Sequence, residues 1–465
     1  MFIEKIKTDG LSHLSYLVGA GGKAAVIDPR RDCDLYVEMA VARDCRITHV
    51  FETHRHEDII SGAPVLKEMT GAAVFHGPDA DGEVVYAETV REGDEFEFGS
   101  LLIKVLQTPG HTFDSVSYAV YDKDFGDKAV GVFTGDALFV GDVGRTDFYP
   151  DRAEEVAGLL YESLQKLLSL GDQAIVYPAH GAGSVCGDNM ADREFSTLGY
   201  ERKYNPMLQH ESKQAFIEKK LNEYHDQPPY FRLMEKLNLE GAGPAKHVLT
   251  PPPLDAETFL RRKEEATVVD VRGIADYLGA HVKGSFAIPS DMIPAFAGWL
   301  LDPDKDLLLI ASGAAEAETA ARHLARIGYD RVCGYLSPAM TGWAAQGRDF
   351  ETTPAIDADA VAERVTKDDA DWRLLDVRKL TEVAEGVVPG AMPIFLGDLP
   401  DRLGDLDRNA HYTTMCASGA RATIAASILQ RAGFSKVDVF LGSMGAWRAA
   451  GRDIVDLENG AAGEN

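Results

Sequence analysis

The sequence predicts an α/β chain of three domains, the last two being copies of one module. Three observations predict it. Through the first 190 residues, strand-length apolar runs stop at Gly or Pro beside residues able to do chemistry. A proline run, Thr250-Pro251-Pro252-Pro253, then interrupts the chain, and such a run is extended and marks a boundary. Beyond it the sequence repeats itself: Val268-Val269-Asp270-Val271-Arg272 recurs 106 positions on as Leu374-Leu375-Asp376-Val377-Arg378.

Length and composition fit this plan. The chain has 465 residues, 45% of them hydrophobic and 26% charged, the balance of a protein that buries full cores. Its 47 Lys and Arg against 74 Asp and Glu give a net charge of −27, which repels a phosphate backbone and argues against nucleic-acid or anionic-membrane binding. No apolar run approaches the ~20 residues of a membrane helix. The start, Met1-Phe2-Ile3-Glu4-Lys5, lacks a secretory pattern. Five cysteines are too few, and odd in number, for a disulfide framework, so a reducing cytoplasm is expected.

Taken in order, Val50-Phe51-Glu52-Thr53 runs into His54, and Leu101 to Leu106 leads through Thr108-Pro109-Gly110 to His111. Val130 to Gly135 stops at Asp136, and Ala174 to Ala179 stops at His180. These read as buried strands whose carboxyl ends open onto loops, where chemistry usually sits. Glu154 to Leu170 has helical spacing. Residues 205–250 read as a helical arm and connector, and the arm at 205–240 is able to support a homodimer. In the repeat, Val282-Lys283-Gly284-Ser285 returns as Val388-Pro389-Gly390-Ala391, while Arg326-Ile327-Gly328-Tyr329 returns 105 positions on as Arg431-Ala432-Gly433-Phe434. Two shifts alike and one shorter by a residue mean homologous modules with a single gap, each a small α/β fold with a largely parallel sheet. The expected domains are 1–246, 247–352 and 353–465.

Thr53-His54-Arg55-His56-Glu57-Asp58 packs two imidazoles and two carboxylates together, and His111, Asp136 and His180 follow in the same strand-to-loop setting. Imidazole and carboxylate suit divalent iron or zinc. In order and context the set resembles the metallo-β-lactamase superfamily and its HxHxDH signature, which implies an αββα sandwich over residues 1 to about 240. The last histidine of that signature is Ile59 here. An aliphatic side chain cannot bind the second metal of the dinuclear hydrolases, which favours one metal on His54, His111 and Asp136. Two histidines and one carboxylate form the facial set of non-haem Fe(II) oxygen chemistry.

Within that superfamily the persulfide dioxygenases use such a set, and Gly144-Arg145-Thr146-Asp147-Phe148 and His180 to Gly187 also resemble theirs. The resemblance implies His54, His111 and Asp136 as ligands of a mononuclear Fe(II), with His56, Asp58 and His180 holding ligands or water in place. Arg145 is a candidate for gripping a thiol carrier's carboxylate, or else a structural ion pair. Cys186 either relays sulfur or packs as a small hydrophobe. Cys33, Cys45 and Cys333 carry no motif and read as packing residues. The competing expectation is a zinc thioester hydrolase of the glyoxalase II kind.

In the last domain, Thr413-Thr414-Met415 leads into Cys416-Ala417-Ser418-Gly419-Ala420-Arg421 and then a helical run. A cysteine between a strand and a helix start sits where backbone N–H groups and the helix dipole stabilise a thiolate. The loop resembles that of rhodaneses, which implies Cys416 as the sulfur carrier, Arg421 as a fixed cation, and Ala417, Ser418, Gly419 and Ala420 as substrate cradle. Four residues separate Cys416 from Arg421, one fewer than in cysteine-dependent phosphatases. At the 105 shift Cys416 faces Ala311 and Arg421 faces Glu316, so the middle copy is expected to be catalytically silent. The whole implies oxidation of a thiol persulfide by O2 to sulfite, coupled to sulfur transfer between sulfite and thiosulfate.

Overall fold

The computed structural model describes residues 1–79, 81–184, 187, 190–244, 249–367 and 371–456. They divide into two compact units, residues 1–245 with 325–328, and residues 246–324 with 329–465.

The first unit carries two six-stranded sheets. One runs in chain order through β1 (Phe2–Thr8), β2 (His13–Ala20), β3 (Lys23–Ile27), β4 (Arg46–Phe51), β5 (Ala73–His76) and β6 (Glu88–Thr89). Its first three strands pair antiparallel and the rest parallel. The other holds β7 (Glu95–Phe98), β8 (Leu101–Gln107), β9 (Val116–Asp122), β10 (Ala129–Gly135), β11 (Ile175–Pro178) and β12 (Ser196–Thr197).

Strand alternation assigns the layers. On β3, Ala25 and Ile27 face Leu101, Ile103, Tyr118 and Phe133 between the sheets. Ala24 and Val26 face outward, against Tyr36 and Ala40 of α1 (Asp34–Ala42) and Leu66 of α2 (Ala63–Thr70). On β10, Phe133 turns inward, while Val132 packs beneath Leu160, Leu164 and Leu167 of α3 (Ala153–Leu168). Helices cover both outer faces of a double sheet, so the expected αββα sandwich is present.

Three further helices follow: α4 (Leu198–Tyr204), α5 (Lys213–Leu221) and α6 (Phe231–Glu240). This helical arm packs on the sandwich of its own unit. Phe216 of α5 enters the core beneath α3, and Asn238 of α6 is buried.

The second unit holds two five-stranded sheets of matching plan. The first orders β13 (Pro253–Leu254), β17 (Val332–Leu336), β16 (Leu307–Ile310), β14 (Thr267–Asp270) and β15 (Phe286–Ala287). The second orders β18 (Ala355–Ile356), β22 (Val437–Phe440), β21 (His411–Met415), β19 (Trp372–Asp376) and β20 (Ala391–Pro393). All their pairings are parallel, as the repeat predicts. The two repeats share a core: Leu278, Phe286, Phe296 and Trp299 of the first pack with Leu375, Ile424, Ile428 and Leu429 of the second. The backbone N–H of Ala287 donates to Ser427 Oγ across that boundary, at 3.1 Å.

Candidate functional site

The chemistry of the first unit gathers where its strands end. Thr53 to Asp58 follow β4, His111 lies in the β8–β9 loop, Asp136 directly follows β10, and His180 lies just past β11. Gly135 takes φ +53°, and a Cβ there would stand 2.7 Å from Thr53. That backbone turn lets the end of β10 abut the His54 loop.

His54, His111 and Asp136 are buried, and their donor atoms lie within 4.8 Å of one another. Asp136 Oδ2 is 3.8 Å from His54 Nε2 and 3.5 Å from His111 Nε2. Among the described residues no other group of three such side chains converges.

Hydrogen bonds fix which ring nitrogen faces the centre. Thr53 Oγ1 donates to Asp28 Oδ2 at 2.9 Å, so its oxygen accepts the Nδ1–H of His54, also at 2.9 Å. The carbonyl of Arg145 accepts the Nδ1–H of His111 at 3.0 Å. Both Nε2 atoms are therefore turned inward, where they are buried without a well-aligned hydrogen-bond partner. Orphaned imidazole nitrogens beside a carboxylate, with the opposite ring nitrogens pinned, are a donor set that fits a divalent metal ion. Burial and the neighbouring His56 and His111 push His54 well below its ordinary pKa, which favours the neutral, ligating form.

The remaining histidines are engaged elsewhere. His180 stands between two carboxylates, with Nδ1 2.8 Å from Asp136 Oδ1 and Nε2 3.0 Å from Asp58 Oδ2. His56 Nε2 lies 3.2 Å from Asp28 Oδ1. Burial alone would lower the His56 pKa, but the Asp28 carboxylate raises it to about 9. Ile59 is buried, an aliphatic wall where the superfamily signature has a histidine.

Arg145 is not available as a carboxylate grip in this structure. It is buried, and its guanidinium forks onto Asp147 at 2.7 and 2.6 Å while also donating to the Asp226 carbonyl at 3.2 Å. Burial would raise the Asp147 pKa, but the Arg145 hydrogen bonds and charge hold it at about 2. The side chain anchors the loop whose carbonyl orients His111. Cys186 lies outside the described residues. Cys33 is buried, and that burial raises its thiol pKa, as befits a packing residue.

Three contributors carry weak sequence signals. Asp28 ends the apolar run of β3, the pattern that marks the metal residues, and its carboxylate accepts from Thr53 N–H at 2.7 Å. Asn238 uses its whole amide on the metal loop. Nδ2 donates to the carbonyls of His56 (2.7 Å) and Ile59 (2.9 Å), and Oδ1 accepts from Ser61 N–H (2.9 Å). Glu57 carries its carboxylate into the metal pocket, 3.1 Å from His111 Nε2. Burial would raise its pKa, but the neighbouring His111 ring holds it below the ordinary glutamate range.

Beside this centre lies a pocket of about 470 Å3, walled by Glu57, Phe148 and Tyr149 and carrying Arg55, Arg232 and Lys236.

In the second unit Cys416 follows β21 and is buried. The Gly419 N–H donates to its Sγ at 3.1 Å, at the head of the helix Ala420–Arg431. Gly419 takes φ +112°, which turns that N–H back toward the sulfur. A second helix, Ser443–Ala449, braces the loop from outside. Ser443 Oγ accepts from Cys416 N–H at 3.1 Å, and the N–H groups of Met444 and Gly445 donate to the carbonyls of Cys416 and Ala417 at 3.0 and 2.9 Å. Arg421 forks onto Glu382, 2.5 and 2.7 Å away.

Comparisons with known proteins agree with this plan. Residues 8–180 match the metallo-beta-lactamase superfamily, and residues 255–346 and 357–450 each match the rhodanese-like domain. A hydroxyacylglutathione hydrolase of Rhizobium etli is 32% identical over 213 residues, covering 40% of this chain and 78% of that enzyme. The crystal structure of a metallo-beta-lactamase from Staphylococcus aureus is 31% identical, covering 72% of this chain and 98% of that one, with a TM-score of 0.65. ETHE1 from Myxococcus xanthus is 34% identical over 51% of this chain and 98% of its own, with a TM-score of 0.44. The chain belongs to the metallo-beta-lactamase superfamily, with two rhodanese-like domains following the metal-binding one.

Proposed function

We propose that this chain oxidises a low-molecular-weight thiol persulfide with O2 at a single Fe(II) and passes sulfane sulfur through Cys416. The observation that carries the reading is the one-ion donor set: His54, His111 and Asp136 converge, while Ile59 removes a ligand that a second ion would need. Iron bound there supplies a redox-active centre with positions open to O2 and a sulfur ligand.

The protein's own groups do the rest. The Thr53 hydroxyl and the Arg145 carbonyl hold the two imidazoles in their ligating tautomer. His180 and Asp58 steady Asp136 from behind. Arg232 and Lys236 line the adjacent pocket, with Arg55 beside Asp81 and Glu235, and would meet the anionic groups of a carrier such as glutathione. The balance is RSSH + O2 + H2O → RSH + sulfite + 2 H+, in which the terminal sulfur is oxidised and dioxygen reduced.

At the other site the Cys416 thiolate attacks the outer sulfur of a persulfide and releases the thiolate RS−. Sulfite then attacks the outer sulfur of the Cys416 persulfide, giving thiosulfate and restoring the thiolate. Thiosulfate can load Cys416 by the reverse step. The Gly419 N–H stabilises charge on the sulfur as it comes and goes.

The kinship with a hydroxyacylglutathione hydrolase supports a second reading, zinc-dependent hydrolysis of a glutathione thioester. An oxygen electrode separates the two. Iron-loaded protein given glutathione persulfide should consume O2 and form sulfite. Hydrolysis of a hydroxyacylglutathione without O2 uptake on the persulfide would overturn the oxygenase reading.

A further inference from the structure

The helix α6 has two faces with different duties. Arg232, Glu235, Lys236 and Leu239, spaced i, i+3, i+4 and i+7, line the pocket beside the metal centre. Phe231, Met234 and Asn238 are buried on the other side. Of these three only Asn238 is polar, and its amide is spent on the loop after β4. Nδ2 donates to the carbonyls of His56 and Ile59 at 2.7 and 2.9 Å, and Oδ1 accepts from Ser61 N–H at 2.9 Å. Two carbonyls and one N–H admit a single orientation of the amide. The backbone carbonyl of Asn238 in turn accepts from Tyr86 O–H at 2.8 Å, which fixes the end of the helix.

The bonds to His56 and Ile59 bracket Asp58. That residue is fully buried, with Oδ2 3.0 Å from His180 Nε2, and His180 Nδ1 lies 2.8 Å from Oδ1 of Asp136. A chain of polar contacts therefore runs from α6 through the loop and His180 to the carboxylate of the metal set. His56 and Ile59 are buried too, so a carbonyl robbed of its donor there would have to move to find another.

We propose that Asn238 is a positioning residue of the metal centre. By fixing the 56–61 turn it sets where Asp58 holds His180, and so how Asp136 presents its oxygen to the ion. It touches neither ion nor substrate. The inference rests on the one-ion reading at His54, His111 and Asp136, and not on the identity of the substrate. Asparagine suits the task because it carries two donors and an acceptor in one plane, whereas aspartate, of the same shape, brings no donor.

The spectrum of bound Co(II) tests this without any turnover, with Met234→Ala as the control. That change trims the same buried face of α6 and removes no bond to the loop. Full-length metal-free protein is titrated with Co(II), reading the visible d–d bands and the stoichiometry, and with Fe(II) against a competing chelator. Asn238→Ala and Asn238→Asp should each move the bands and weaken binding about 10-fold, the lower end of what outer partners of a ligand give. Met234→Ala should melt earlier yet keep the wild-type bands and affinity. Bands and affinity unchanged in both Asn238 variants, or changed as much in Met234→Ala, would overturn the proposal. Should both Asn238 variants fail to fold, Asn238→Ser retains a single hydroxyl and is judged by the same comparison. Two ions per wild-type chain would sink the one-ion reading, while the comparison among variants would still decide the role of Asn238.

Discussion

Both rhodanese-like repeats keep a buried aspartate at the end of an inner strand, and each aspartate grips the arginine two residues later. Arg272 forks onto Asp270 at 2.8 and 2.6 Å and donates to the Ala280 carbonyl, while Arg378 forks onto Asp376 at 3.0 and 2.7 Å and donates to the Gly386 carbonyl. Both close on a tryptophan whose indole N–H donates to an aspartate carbonyl six residues on, Trp343 to Asp349 and Trp447 to Asp453. They part at one loop. In the second repeat the Gly419 N–H donates to the Cys416 sulfur, and Arg421 stands at the start of the following helix, held by Glu382. In the first repeat Ala311 replaces the cysteine, and the Ser312 N–H donates to the carboxylate of Glu316 at 2.6 Å. A turn at a helix start presents unpaired N–H groups and demands an anion. Where the thiolate is gone, the chain supplies a carboxylate of its own. The frame is thus kept in both repeats, and they differ at the two side chains on which the proposed sulfur transfer rests.

That contrast can be broken from either side. The largest effect is expected from Cys416→Ser, which removes the atom that carries sulfur. Sulfur transfer should fall by on the order of 10^3-fold or more in a thiosulfate assay, with oxygen uptake on glutathione persulfide largely intact. Arg421→Glu, which gives the active loop the sign found in the silent one, should reduce transfer by about 10^2-fold through repulsion of sulfite and thiosulfate. Grafting in the opposite direction should yield a smaller gain. The pair Ala311→Cys and Glu316→Arg should let the first repeat take up a sulfane sulfur, read as a persulfide adduct by intact mass in a Cys416→Ser background. Ala311→Cys alone should take up much less, because Glu316 still occupies the N–H it would need.

The smallest effect is expected from Glu382→Gln, which loosens Arg421. Both partners reach solvent, so the stability lost should stay below about 1 kcal/mol in denaturant titration. Burial would raise the Glu382 pKa, but the hydrogen bonds and charge of Arg421 lower it overall. A carboxylate with a depressed folded-state value stabilises fully above the ordinary glutamate range. That contribution fades as pH falls through the depressed value. The wild-type advantage over Glu382→Gln should therefore be constant near neutrality and vanish only in acid.

The strand-end residues were open to sequence reading because position and chemistry coincide on a short stretch. His54, His111 and Asp136 each terminate an apolar run, and Cys416 and Arg421 share one turn. The repeat was equally open, since its apolar and turn residues return in register. Contacts made across the fold were not. Asn238 reaches Ser61 from 177 positions away, and nothing near it in the chain marks the contact. Glu57 sits between residues of a signature, and only the bend of the loop after β4 turns it toward His111. Arg145 was left open between a substrate grip and an ion pair, because a guanidinium fork suits any carboxylate; in the fold it pairs with its neighbour Asp147.

The apolar contact joining the two repeats has a consequence for handling the molecule. The helix that begins beside Cys416 places its Ile424 and Ile428 in one core with Phe286 and Trp299 of the repeat that lacks the cysteine. Excising residues 251–350 would strip that helix of a wall and leave a greasy face prone to clumping. The copy without the cysteine therefore works as the other half of a hinge-less clamshell, and on heating the two halves should melt in one step.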